Sequence, residues 1–179
     1  MKKITLFLLL ISSLYSDAQL YVGLNHGYYQ ENYTDNDAQS SNTITTFKFG
    51  YGERKAYAVE FSLEYLKNTA KIFSENDSDK NAINVNLVKA FDFNVLPIPF
   101  FKAGIGAGVF SIDGQFQDTF HYGSFNLGLG IFIPITEYLD LELAYTQKFM
   151  SYEGIDTIKE EISYKSIMGI TNFGFNVRF

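Results

Sequence analysis

Residues 165–179 read KSIMGITNFGFNVRF and alternate strictly between two kinds of side chain. Every second position from Ile167 to Phe179 is mainly apolar or aromatic, whereas the intervening positions include Gly174 and Arg178. A period of two residues is typical of a β-strand, because successive side chains point to opposite faces of the strand. The segment therefore predicts a strand with one apolar face and one polar face.

The same alternation recurs through the rest of the chain. It predicts eight strands, at about residues 20–29, 43–52, 56–66, 82–93, 99–110, 123–133, 138–150 and 165–179. The predicted connections alternate between short turns and long polar loops, the loops being residues 30–42, 67–81, 111–122 and 151–164. That alternation is typical of a membrane barrel, and each strand is long enough to cross the hydrocarbon when tilted. We predict an all-β protein, an eight-stranded antiparallel up-and-down transmembrane β-barrel.

The composition excludes several classes of protein. The 179 residues include no Cys, so disulfides, thiolate zinc sites and Fe–S clusters are excluded. Two His leave little scope for imidazole chemistry, and we expect no metal site and no cofactor. A net charge of −6 argues against nucleic-acid binding, which requires a basic face.

The first 18 residues have the features of an export signal. Lys2 and Lys3 precede an apolar run from Ile4 to Ile11, and the small residues Ser16 and Ala18 fit a signal-peptidase site. We therefore predict a signal peptide at residues 1–18 and a barrel domain at residues 19–179.

The two strand faces differ in a way that predicts which one is inside. The polar face is rich in glycine, which weakens a strand but gives room to long side chains in a crowded lumen. The apolar face is large, aromatic and continuous, and such a surface requires lipid or a partner. We predict that the lumen holds a structural charge network made of Lys48, Glu60, Glu64, Asp92, Lys102, Asp140, Glu142, Lys148 and Arg178. A soluble lipocalin-like binding barrel, with its apolar face inside, is the alternative arrangement.

Two residues on the apolar face need a separate explanation. Lys89 lies between Leu87 and Phe91, so it must either extend toward the interface or lie at a β-bulge. His26, with Tyr28, is expected near the outer rim in an interfacial role.

These features together resemble the small outer-membrane barrels of the OmpA/OmpX type, and the resemblance covers residues 19–179. The final strand is the most specific part, because its alternating residues resemble the C-terminal signal read by the barrel-assembly machinery: Phe173, Phe175, Val177 and Phe179. The resemblance, closest to barrel-only members, implies location in the outer membrane of a Gram-negative-type cell after export. It implies membrane lipid and the assembly machinery as partners, and a role in envelope structure, adhesion or surface recognition.

We expect no enzymatic activity. A lipid A deacylase of similar size uses a His-x-Ser pair, but His121 and Ser124 are three residues apart and would face opposite sides of a strand. The four long loops carry net charges of −3, 0, −2 and −3, and we expect any surface ligand to contact these acidic loops. We expect a monomer with a lumen closed by side chains, and a small pore or transport protein is the alternative.

Overall fold

The computed structural model of the protein describes residues 18–34, 38–68, 78–111, 119–153, 155–156, 161–162 and 164–179. Its strands are β1 (Gln19–Tyr33), β2 (Gln39–Gly52), β3 (Tyr57–Leu66), β4 (Lys80–Ala90), β5 (Ile98–Ser111), β6 (Thr119–Pro134), β7 (Leu139–Tyr152), β8 (Ile155–Asp156), β9 (Glu161–Ile162) and β10 (Lys165–Arg178). The eight long strands form one closed barrel in which each strand pairs antiparallel with its neighbours along the chain, and β10 pairs with β1. The predicted eight-stranded antiparallel barrel is confirmed. Strands β8 and β9 form a separate two-stranded sheet.

The strand register is staggered around the barrel. Following the facing residues from Tyr21 of β1 through all eight strands returns to β1 at Glu31, ten residues further along. Such a stagger requires the strands to tilt by about 35–45° from the barrel axis. A barrel of eight strands has an interior just wide enough for side chains to fill.

The barrel has two different ends. The end that carries Gln19 and Arg178, here called the terminal end, has the connections 53–56, 91–97 and 135–138. The opposite end, here called the loop end, has the connections 34–38, 67–79, 112–118 and 153–164. Much of these loops and the predicted signal peptide, except Ala18, lie outside the described residues.

The predicted loops are partly wrong, because several strands continue further than expected. Strand β1 runs to Tyr33 and pairs with β2 as far as Asn32 and Gln39, so the predicted loop 30–42 shrinks to residues 34–38. This connection is shorter than the turn 91–97, so the predicted alternation in length fails there. The inward side chains Tyr29 and Glu31 continue the alternation of the strand. A polar residue such as Glu31 can face the lumen from within a strand, so polar composition alone does not indicate a loop.

The outer wall is mainly apolar, and the large outward side chains at mid-height on its β3–β6 side are all apolar. Leu63, Ile83, Ile105 and Leu129 are each more than half exposed there. Within the described ranges, no helix is long and apolar enough to cross a membrane. An apolar wall around a polar interior is the reverse of a lipocalin-like barrel, so that alternative is wrong.

Glycines on the inner wall accommodate large lumen side chains. A Cβ atom at Gly50 would overlap the ring of Tyr21, and one at Gly108 would overlap the ring of Tyr122. In contrast, a Cβ atom at the outward-facing Gly123 would have nothing within 4 Å. Gly50 and Gly108 therefore serve packing, because an aromatic ring occupies the space that a side chain would need at each of these two positions.

Candidate functional site

The lumen is filled in three layers along the barrel axis. An apolar and aromatic layer closes the terminal end and contains Tyr21, Ala58, Val88, Ala90, Ile98, Phe100, Phe132 and Ala144. A larger layer closes the loop end and contains Tyr29, Tyr33, Ile44, Leu66, Ala82, Phe110, Phe120, Tyr122, Met150, Tyr152, Met168 and Ile170. Charged and amide side chains lie between these two layers.

A three-membered charge cluster crosses the middle of the lumen. Lys48 of β2 forms ion pairs with Glu142 of β7 and with Glu60 of β3, the latter at 3.2 Å. The Asn25 and Asn176 amides donate hydrogen bonds of 3.1 and 2.9 Å to the Glu142 carboxylate. All three charged groups are buried, so the pairs and amides together provide the partners that such groups require.

A second group of ion-paired side chains spans the lumen nearer the loop end. Lys148 of β7 pairs with Glu64 of β3 on the opposite side of the lumen, and it donates a 2.9 Å hydrogen bond to the Asn84 side-chain oxygen. Lys102 lies close by, packed over Gly128, and within the described chain it makes no ion pair. The cavity between these groups has a volume of only about 10 Å³. That space holds about one water molecule, so the lumen is filled at this level.

A buried ion pair lies within the aromatic layer at the loop end. Lys80 Nζ lies 2.8 Å from the Glu31 carboxylate, and neither side chain is exposed at all. Lys80 also donates to the Tyr33 and Tyr152 hydroxyls at 2.7 and 2.8 Å, and Ser166 donates to Glu31 at 2.6 Å. The ammonium group lies 5.1 Å from the Tyr152 ring centroid, within the range of a cation–π interaction. Lys80 and Glu31 are therefore partnered by each other and by hydroxyl groups within the aromatic layer.

Two arginines converge on one carboxylate at the terminal end. Arg178 Nε donates a 2.6 Å hydrogen bond to Asp140, which is completely buried. Arg54 Nε lies 3.1 Å from the other Asp140 oxygen, an ion-pair distance without the alignment of a hydrogen bond. Arg54 also donates to the carbonyl oxygens of Thr136 and Glu137 at 3.1 and 2.6 Å. It thereby joins the β2–β3 turn to the β6–β7 turn, which lies directly opposite around the barrel.

The structure places all but one of the predicted network residues in the lumen. The exception is Asp92, and its assignment to the lumen was wrong. Strand β4 ends at Ala90, so Asp92 lies in the exposed turn 91–97, where it pairs with Lys55 at 3.0 Å. The Asn94 backbone amide and Lys55 hold the pKa of Asp92 below its ordinary value. The stability that the protein gains from the ionised Asp92 and these partners is therefore present at neutral pH. It is lost as the pH falls through the lowered pKa.

Three charged residues at the ends of the lumen were missed by the sequence analysis. Glu31 and Lys80 were assigned to loops, and Arg54 was assigned to a tight turn. For Glu31, a sequence signal was available, because Tyr29, Glu31 and Tyr33 continue the alternation of β1. No sequence signal identifies Arg54, because its role depends on the opposite turn.

The structure also locates Lys89 and His26, the two polar residues predicted on the apolar face. Lys89 faces outward in continuous register with Tyr57 and Phe101, so the bulge explanation is wrong. Its Nζ lies 4.0 Å from the centroid of the Tyr57 ring at the terminal end, which is a cation–π contact. His26 is not near the rim, because β1 extends to Tyr33 and His26 is the eighth of its 15 residues.

Residues considered for catalysis are separated by the strand geometry. His121 is exposed on the outer wall, whereas Ser124 lies on the inner face of β6. Within the described part of the chain, no group of three or more His, Asp or Glu side chains could hold a metal ion. In the lumen, the Ser166 hydroxyl donates to the Glu31 carboxylate, but both groups are buried and that carboxylate is also paired with Lys80.

Comparisons with known proteins identify the fold. No protein-family model matches the sequence, and no protein of curated function matches it. Neisserial surface protein A has a similar structure, with a TM-score of 0.69 and 14% identity over 90% of this chain and 99% of that chain. The N-terminal β-barrel domain of Pseudomonas aeruginosa OprF has a TM-score of 0.55 and 12% identity over 88% of this chain and 97% of its own. The attachment invasion locus protein of Yersinia pestis, Ail, in complex with the heparin analogue sucrose octasulfate, has a TM-score of 0.55 and 14% identity over 90% and 99%.

Proposed function

We propose that this chain, which has the fold of the small eight-stranded outer-membrane barrels, is a non-enzymatic barrel with a closed lumen that presents its acidic loops at the cell surface. The observation that carries the proposal is the combination of an apolar outer wall with a lumen occupied from end to end. The proposed roles are envelope structure and surface recognition or adhesion. Residence in the outer membrane follows export by the predicted signal peptide, residues 1–18.

The lumen supports a closed barrel over a pore. Two layers of aromatic and aliphatic side chains lie across the ends, and Lys48–Glu142 and Lys148–Glu64 span the space between them. A pore requires a continuous aqueous path, whereas the central cavity admits about one water molecule. The proposal therefore places function on the outer surfaces and not in the lumen.

The charge of the loop end indicates the chemistry of a surface partner. By sequence count, the connections 34–38, 67–79, 112–118 and 153–164 carry net charges of −2, −1, −2 and −3. The Yersinia protein was solved with a polysulfated sugar, but an acidic surface repels such an anion. We therefore propose a neutral or cationic partner for this chain.

Electrical recording tests the closed lumen. We expect refolded protein in planar lipid bilayers to give no discrete conductance steps, because no continuous water path crosses the two apolar layers. Heat-denatured protein at the same concentration controls for leakage caused by adsorbed chains. Reproducible steps of one amplitude, obtained only with folded protein, would support the pore alternative instead.

The proposed assembly signal leads to a separate prediction. Phe173 and Phe175 are exposed on the outer wall, and Phe179 is 71% exposed beyond the end of β10. Because the Phe179 ring has few contacts to lose, we expect its deletion to lower membrane-integrated yield in cells several-fold with little change in the stability of refolded barrel.

Yield in cells and unfolding in detergent should be measured side by side for the Phe179 deletion. Substitution Tyr138→Ala is the matched control, since Tyr138 is 61% exposed at the same end but lies outside β10. A normal yield from the deletion, or an equal loss from the control, would contradict an assembly role for the final strand.

A further inference from the structure

The outer wall is not uniformly apolar. From the middle of β2, β1, β10 and β7 toward the loop end it carries five outward-facing polar side chains, here called the polar stripe: Thr43, Thr45, His26, Thr171 and Gln147. His26 is the eighth of 15 residues in β1, Thr45 the seventh of 14 in β2 and Thr171 the seventh of 14 in β10. These three positions are at the centres of their strands, whereas Thr43 is the fifth of 14 residues in β2 and Gln147 is the ninth of 14 in β7, both on the loop side of the centre.

The stripe is contiguous across the strand pairs. His26 is the direct register partner of Thr45, and Tyr28 is the partner of both Thr43 and Thr171. The His26 Nδ1 atom lies 3.0 Å from Thr45 Oγ1. In the described part of the chain, the other His26 ring nitrogen makes no hydrogen bond.

Hydrocarbon cannot satisfy this surface. Lipid tails offer no hydrogen-bond partner to these side chains. An ionisable side chain at membrane depth indicates a functional contact by default. The opposite wall shows that the pattern is specific to one side, because Leu63, Ile83, Ile105 and Phe125 occupy the corresponding middle of β3–β6.

Small and polar side chains are the features that promote protein association within lipid. Small residues let two backbones approach closely, and hydroxyl, amide and imidazole groups form hydrogen bonds between them. The stripe provides both features, since three of its members are threonines and Gly169 faces outward beside Gln30 and Gln147. Exposed rings flank it at Tyr28 and Phe173.

We infer that the polar stripe is an interface for a second copy of this chain. All copies insert with the same orientation, so a two-fold axis along the membrane normal brings equal heights together and the stripe meets itself. The stripe is self-complementary, because it carries donors and acceptors together and no fixed charge. This inference rests on the membrane location in the proposed function and replaces the expected monomer with a dimer.

Disulfide cross-linking in membranes tests the interface. The chain has no Cys, so each introduced thiol reports only its own position. Tyr28→Cys lies beside the stripe and Ile83→Cys lies on the opposite wall, and the two side chains are similarly exposed, at 55% and 61%. We expect oxidised dimer from Tyr28→Cys to exceed that from Ile83→Cys about tenfold.

A second set of variants removes the hydrogen bonds and keeps the shape. Adding His26→Leu and Thr45→Val to Tyr28→Cys should lower the dimer yield roughly tenfold, the loss expected for one or two hydrogen bonds within lipid. Leu63→Val in the same background is the control. The apolar variant should not be less stable as a monomer in dilute detergent, because it exposes fewer polar groups.

The possible outcomes distinguish a failure of the proposed interface from a failure of the proposed outer-membrane function. Equal cross-linking from both walls, no cross-linking of correctly folded protein, or an unchanged yield after His26→Leu with Thr45→Val would overturn the interface. Failure of the unsubstituted protein to fractionate with membranes or to show heat-modifiable mobility would overturn the proposed function instead.

Discussion

Replacing Lys80 with Met is expected to lower the free energy of unfolding by about 3–5 kcal/mol. The substitution leaves the Glu31 carboxylate without its cation in a layer where neither partner has any exposed surface. The Tyr33 and Tyr152 hydroxyls lose the same hydrogen-bond donor. The measurement is equilibrium unfolding by denaturant in lipid vesicles, with the folded fraction read from heat-modifiable gel mobility.

Two further variants make the Lys80 result specific. Lys55→Met removes an ion pair at the terminal end, but Lys55 is 53% exposed, so the loss there should be at most about 1 kcal/mol. Combining Lys80→Met with Glu31→Leu should recover much of the stability, because a buried ion pair replaced by apolar groups is often neutral overall. Equal effects from Lys80→Met and Lys55→Met would mean that water reaches the loop-end layer.

Replacing Gly108 with Ala is expected to lower the free energy of unfolding by about 1–3 kcal/mol, the usual range for overpacking. Gly108 of β5 is the register partner of Tyr122 of β6, and the added Cβ atom would overlap the Tyr122 ring. That ring lies between the barrel wall and Tyr152, with its centroid 5.4 Å from the Tyr152 centroid, so it has little room to move.

The neighbouring Gly123 is the matched control for Gly108. It follows Tyr122 in the same strand, but a Cβ atom there would point outward into open space. Gly123→Ala should therefore leave stability unchanged or raise it slightly, since glycine weakens a strand. If both substitutions destabilised the barrel equally, the loss would arise from the backbone and not from the Tyr122 ring.

The strand pattern predicted the barrel and the direction of its faces because period-two alternation depends on local sequence alone. Lys48, Glu60, Glu142 and Arg178 were assigned to the inner face on that basis, and the structure places them there. The limits of the strands were less predictable. Polar lumen residues such as Glu31 have the composition of a loop, although they continue the alternation.

The partners within the lumen could not be predicted from the sequence. Lys48 pairs with Glu142 across 94 residues, and Lys148 pairs with Glu64 across 84. Such pairs depend on the stagger of the register, which decides the side chains that share one height. The polar stripe was missed for a related reason, because His26 was placed near the rim when β1 was predicted too short.

The Arg54 bridge has a mechanical consequence. A thin-walled tube deforms most easily by flattening from a circle to an ellipse, which pulls opposite points of its mouth apart along one diameter. Arg54 ties two diametrically opposed turns together through Asp140, Thr136 and Glu137, so a flattening that lengthens this diameter must stretch several polar contacts at once. Arg54 therefore opposes this deformation of the barrel at the terminal end.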